Sequence, residues 1–209
     1  MDKKNKKQEE KIELKPLKIG RLRVVIGGDS LLMNNLGSVA KKVLESYQKS
    51  EVKDTKKSVK KIDPEKDFNE KIHKTFNGKV GFPVCGVKKG MQTVVCRLGL
   101  PQSVISGQMI KDTLFVFGSG KDIDITPIKF DKMIKNSQWG RIMGRPVLIT
   151  RPEFIKWSCE VVIEYNIEVL SAEKILNILN WAGFHKGLGD YRPENGGSYG
   201  KYKVIKVIK

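Results

Sequence analysis

Residues 156–207 read KWSCEVVIEYNIEVLSAEKILNILNWAGFHKGLGDYRPENGGSYGKYKVIKV, and the way this stretch divides decides the fold. Trp157, Cys159, Val161 and Ile163 fall on one side of an extended run, so the alternation predicts a long strand. From Ser171 the period changes. Ile175, Leu176, Ile178, Leu179 and Ala182 recur at steps of three and four, the pattern of an amphipathic helix. Ser171 stands where an N-cap belongs, but Lys174 replaces the acid of a strict capping box, and Gly183 supplies the stop. YGKYKVIKV then alternates again as a final strand. Strand, helix, glycine-rich connection and strand make half of an α+β domain.

Working upstream, LKIGRLRVVIGG carries Ile19, Leu22, Val24 and Ile26 as a first strand ended by Gly27 and Gly28. LGSVAKKVLESYQ places Val39, Val43, Leu44 and Tyr47 at helical spacing behind Ser38. In GFPVCGVKKGMQTVVCRLG the apolar positions are Val84, Val87, Met91, Val94, Val95 and Leu98, a core helix with Pro83 in its first turn. Its glycines, Gly86 and Gly90, cost about 1 kcal/mol each relative to alanine. They are therefore expected where the helix closely approaches another helix, a strand or a bound chain. Lys88, Lys89 and Arg97 lie off the apolar stripe. TLFVFGSG and DIDITPIKF read as two further extended runs.

With insertions removed, the order is strand, helix, strand, strand, helix, strand, that of the ferredoxin-like split βαβ unit. The expected fold is α+β: an antiparallel sheet with helices on one face and the other face left for an extended chain. Residues 1–15 form a charged arm that offers almost nothing to bury. Residues 16–209 form one domain, with insertions at about 50–78 and 119–154.

Across 209 residues, 40 Lys+Arg against 23 Asp+Glu leave a net charge of +17, which suits a polyanionic partner such as nucleic acid. A lysine-rich solvated surface accounts for the same numbers. The Lys-rich insertion reads as a solvated loop that is also able to reach along a phosphate backbone. Cys85, Cys96 and Cys159 lack metal or redox spacing and are expected as reduced core thiols. There is no apolar leader and no run of about 18 apolar residues, so a cytoplasmic protein without membrane contact is expected. No GxxxxGK[ST] loop occurs, and Asp122 with Asp124 reads as a turn feature. Neither cofactor nor metal is therefore expected. His185 is the one catalytic candidate, an acid or base beside the glycine loop, and His73 sits in the charged insertion.

Residues 129–156 carry seven basic residues against two acids, and among them Arg141, Arg145 and Arg151 interleave with Trp139. Guanidinium forks suit bidentate phosphate contacts, and an exposed aromatic stacks a base for about 1–3 kcal/mol. Against this, Arg151 could pair locally with Glu153, and Trp139 could lie over the core. Tyr191 and Tyr199 either stack bases or shield edge backbone, and the glycine loop alone could be a turn.

LPQSVISGQMIKDTL resembles the small-residue motif of the RAMP superfamily, the ferredoxin-like RNA-binding proteins of CRISPR effector complexes. GLGDYRPENGGSYGKYKV is similar in placement to the glycine-rich loop those proteins carry before their final strand. A second resemblance, to a group of proteins encoded by phages and prophages, covers most of residues 19–207 in short blocks. Those blocks are GDSLLMNN, GFPVCGVKKGM, ITRPEFIKWSCEVVIEYN and LNWAGFHKGLGDYRPENGGSYGKYKV, and the likeness brings no activity with it. The RAMP resemblance implies that Gly187, Gly189, Gly196, Gly197 and Gly200 let the backbone approach a sugar-phosphate chain. Lys186, Arg192 and Lys201 would neutralise charge there, and many copies would assemble along one strand.

The leading expectation is a non-catalytic protein that binds single-stranded DNA or RNA with little sequence specificity. Two alternatives stand beside it: a phage-type interaction protein that blocks or mimics a host complex, and a metal-independent ribonuclease using His185.

Overall fold

The computed structural model describes residues 16–35, 64–97, 104–142 and 145–208. The arm 1–15, the helix expected around residues 38–47, most of the charged insertion and residues 98–103 lie outside these. The described residues form an α+β fold with an open, antiparallel seven-stranded sheet and four α-helices. In chain order they are β1 (Ile19–Leu32), α1 (Pro64–Glu70), β2 (Gly81–Pro83), α2 (Cys85–Arg97), α3 (Gly107–Thr113), β3 (Leu114–Gly118) and β4 (Ile125–Lys129). There follow β5 (Lys132–Ile142), β6 (Arg145–Asn166), α4 (Ala172–His185), a 3-10 turn (Pro193–Asn195) and β7 (Lys203–Ile208).

β6 organises the sheet. One of its edges pairs with β1 from Ile19↔Asn166 to Leu32↔Glu153. Its other edge is shared by three strands in turn, β3 at residues 161–165, β4 at 158–159 and β5 at 145–155. β7 lies on the far side of β1, and β2 pairs with β4. The strand expected from Trp157 is therefore the second half of a 22-residue strand. Its first half carries Pro146 and Pro152, which argue against a sheet-interior strand. They are accommodated because this half is mainly a two-stranded ribbon with β5. Between Gly28↔Trp157 and Ser30↔Ile155 the pairing skips Asp29 and Lys156, and Lys156 adopts φ 49. A left-handed lysine costs about 1–2 kcal/mol. It marks a local interruption of the ladder, without a change of register, where the other edge of β6 passes from β4 to β5.

Below the helices, the core face of the sheet holds Val24, Ile26, Trp157, Cys159, Val161 and Ile163. α2 contributes Val87, Met91, Val94 and Val95, and α4 contributes Ile175, Ile178, Leu179 and Ala182. Gly90 faces α4, where an added Cβ would lie 3.6 Å from that of Ala182, an ordinary contact distance, so the packing of the two helices does not itself require a glycine here. Ser171 caps α4 as expected, its Oγ accepting from the Lys174 amide at 3.3 Å. Pro83 ends β2 instead of opening α2, because its segment pairs with residues 125–127. The three cysteines are free, but only Cys159 is a core thiol, its pKa pushed up to about 12 by burial. Cys85 and Cys96 are exposed, since they fall on the outward side of α2.

On the sheet face opposite the helices, Arg23 forks onto Glu160 Oε1 at 2.6 and 2.8 Å. Arg21 lies 3.6 Å from Glu164. Two of the cations on the face expected to bind a chain are thus matched by carboxylates across the β1–β6 pair.

Candidate nucleic-acid interface

The β5–β6 ribbon runs on past the point where β1 ends, with Trp139 opposite Leu148 and Arg141 opposite Pro146. One face of it packs on the glycine loop. The Tyr199 hydroxyl accepts from Asn136 Nδ2 at 3.3 Å and Gln138 Nε2 at 3.2 Å, while the Tyr191 hydroxyl donates to the Trp139 carbonyl at 3.4 Å. Tyr191 holds φ 45, a strained conformation that places its ring 4.7 Å from the Arg151 guanidinium. Arg151 is only 4% exposed, with Nε 2.8 Å from Asp190 Oδ2, to which Asn34 also donates at 3.2 Å. Glu153, 7% exposed, accepts from Ser30 and Asn136, both at 2.7 Å. The local Arg151–Glu153 pair is therefore not formed: each of the two reaches across to a neighbouring segment, where partners lie closer than residues two apart on one strand.

The other ribbon face is braced at its base by α1. Lys135 pairs with Glu65 and lies 5.5 Å from the Phe68 ring centre, and buried Lys71 donates to the Thr150 carbonyl at 2.7 Å. Further out, Trp139 is 72% exposed and its cross-strand neighbour Leu148 is 42% exposed. Trp139 is a projecting aromatic and does not cover the core.

The glycine loop is sewn to the end of β1. Gly200 donates to the Ser30 carbonyl at 2.7 Å, Asp190 to Leu32 at 2.9 Å, and Leu188 to Gly200 at 2.8 Å. Side chains at Gly187, Gly189, Gly197 and Gly200 would collide with Pro193, Leu32, Tyr191 and Leu188 respectively, so these glycines admit the protein's own chain. Gly196, at φ 75, faces open space.

Charge gathers around Glu194, which sits 2.7 Å from Arg192, 3.0 Å from Arg97 and 3.5 Å from Lys186. Three cations share one carboxylate. Burial alone would raise the Glu194 pKa, but the Arg192 hydrogen bonds and the charges of Lys186 and Arg97 outweigh it and hold it below 4.5. Lys186 is 6% exposed, its Nζ 2.8 Å from Thr93 Oγ1; burial lowers its pKa and Glu194 offsets part of that. A carboxyl held below its ordinary value stabilises the fold fully above pH 4.5, and that stability is lost as pH falls through the lowered value. Urea titrations from pH 6 down to about 3 are expected to show a steeper loss in wild type than in Glu194→Gln. Identical slopes would show that the cluster does not couple to folding.

The remaining candidates are more scattered. Lys88 donates to the Lys111 carbonyl at 2.8 Å and lies 4.4 Å from the Phe115 ring centre, with its pKa lowered chiefly by burial. Lys89 is exposed on α2, and Lys201 lies 5.7 Å from the Phe184 ring centre. His185 packs edge-on to Phe184 at 5.2 Å and lines a cleft with Arg97 and Lys186. Arg141 and Arg145 occupy the distal end of the ribbon. Asp122, read as a turn feature, accepts from the Phe76 amide at 2.7 Å. No group of metal-ligating side chains occurs among the described residues.

The structure thus packs Arg151, Tyr191, Tyr199 and the loop glycines together against one face of the ribbon, whereas Trp139 projects from the opposite face. It also reveals partners that the sequence reading passed over: Asn34, Asp190 and Glu194. The opposite charges in Arg192-Pro193-Glu194 were a usable signal for the last, whereas nothing local points to the others. No protein-family model matches the chain, and no curated protein matches it.

Proposed function

We propose that this protein binds single-stranded nucleic acid without catalysis and with little sequence specificity, on a RAMP-like, ferredoxin-like frame of phage type. The frame is supported by the neighbour order β3-β6-β1-β7, with α2 between β1 and β3 in sequence and α4 between β6 and β7. The binding reading is carried by one observation: the arginine-bearing ribbon and the glycine loop, far apart in sequence, are locked into a single surface by Tyr191 and Tyr199. Trp139 projects from the opposite face of the same ribbon as a stacking platform, and the net charge of +17 supplies attraction to phosphate. On this reading the ribbon, and not the sheet face on which Arg21 and Arg23 are paired with carboxylates, meets the strand in the host cytoplasm, and copies assemble along it.

Fluorescence anisotropy with labelled single-stranded DNA, single-stranded RNA and duplex, at two salt concentrations, tests this. Trp139→Ala is expected to weaken single-strand binding by about 1–3 kcal/mol, roughly 5- to 150-fold. Arg141→Ala/Arg145→Ala is expected to lower the salt slope by about two. Absence of binding, or binding indifferent to salt and to these variants, would overturn the reading. It would favour docking of a protein on the exposed Trp139–Leu148 pair instead.

A further inference from the structure

A cleft of about 390 Å³ opens beside the glycine loop, between β2, the start of α2 and residues 186–192. Three cations, Lys89, Lys186 and Arg192, are part of its wall, together with the half-buried His73. The cleft's one acid among the described residues, Asp190, is engaged by Arg151 and Asn34. Lys186 and Arg192 share Glu194 with Arg97, and Lys89 has no carboxylate partner among the described residues. Positive charge is therefore in excess at a site that is partly closed to water, where like charges repel more strongly than in bulk solvent. An anion in the cleft relieves that repulsion.

Two further groups are unsatisfied there. Asn34 Oδ1 is buried and has no hydrogen-bond partner among the described residues, although Asn34 lines the cleft. A buried acceptor without a donor asks for one. Cys85 and Gly86 also line the cleft, their amides find no acceptor among the described residues, and the first turn of α2 holds no acid. The volume falls in the lower part of the range typical of small-ligand pockets, about 300–1,000 Å³.

We propose that this cleft binds a nucleoside monophosphate unit, either free or as the phosphorylated end of a strand. Lys89 and the α2 amides hold the phosphate, Lys186 and Arg192 supply a fixed positive field, and a donor on the base satisfies Asn34 Oδ1. The strand-end form rests on the nucleic-acid reading above, whereas the phosphate site itself does not.

Cys85 lies in the cleft and Cys96 is exposed elsewhere on α2, so alkylation of the full chain contains its own control. At about ten times its Kd, adenosine monophosphate is expected to slow Cys85 modification roughly tenfold, leaving Cys96 unchanged. Protection by ribose 5-phosphate or inorganic phosphate is expected to need higher concentrations. Lys89→Glu, at an exposed position, is expected to raise the protecting concentration about tenfold or more. No protection of Cys85, or equal protection in Lys89→Glu, would overturn the proposal; equal potency of inorganic phosphate would overturn its assignment to a nucleotide. Oligonucleotides ending in phosphate or hydroxyl separate the two sources, since only the phosphorylated ends should protect. Adenosine monophosphate should still protect Cys85 in Trp139→Ala, so failure of the strand-binding reading and failure of this site give different results.

Discussion

Gly200→Ala is expected to cost about 3 kcal/mol or more of stability, while Gly196→Ala, a few residues away, costs about 1 kcal/mol. Both glycines have positive φ, 72 and 75, so both substitutions carry the left-handed penalty. They differ in what a side chain meets. At Gly200 the new methyl overlaps the Leu188 carbonyl oxygen, a backbone atom that cannot swing away, whereas at Gly196 nothing lies within 4 Å. Gly200 also donates to Ser30, so displacing it pulls the loop from the end of β1. Urea unfolding midpoints at constant m-value measure the difference. Equal, small effects would show that the loop is not packed as described. Gly196 offers a separate use: if Gly196→Ala, at its small cost in stability, also loses nucleic-acid affinity, the ligand backbone approaches at that residue.

Asp190→Ala is expected to destabilise the protein by about 3–5 kcal/mol, because it leaves a buried guanidinium without its counter-charge. Arg151 is almost wholly buried, and its Nε and Nη1 have no hydrogen-bond partner among the described residues, so the ionic contact with Asp190 and the Tyr191 ring are its support. The pair also joins β6 to the glycine loop. Its loss should lower single-strand affinity as well as stability if the two act as one surface. Arg151→Met combined with Asp190→Ala is expected to recover much of the stability, since an apolar replacement removes the uncompensated charge. Thermal unfolding of the two single variants and the double variant forms the cycle that decides this. A near-neutral Asp190→Ala would mean that water already solvates Arg151.

Much of the frame was legible in the amino-acid order. Alternation marked β1, the second half of β6 and β7, and steps of three and four marked α2 and α4, because a core-facing stripe is a local pattern that burial imposes on each element. The polar ribbon was not legible. β5, KMIKNSQWGRI, has little apolar period, and what makes it a strand is hydrogen bonding to β6, which leaves no signature in side-chain order. The candidate site divides in the same way. Trp139, the arginines and the loop glycines were readable as residue types suited to phosphate and bases. Their partners were not: Asp190 for Arg151, Ser30 and Asn136 for Glu153, and Arg97 beside Glu194 lie up to 123 residues apart.

By itself, then, the sequence determined an α+β domain with a strongly basic surface, because period and charge belong to each segment independently of its neighbours. Only the tertiary structure decided which bare glycine faces solvent and which faces the protein's own carbonyls. It alone brought His73, read as part of a solvated insertion, into a cleft with Lys186. Those outcomes depend on distances between segments remote in the chain, and such distances exist only once β6 has gathered β1, β5 and the glycine loop around it.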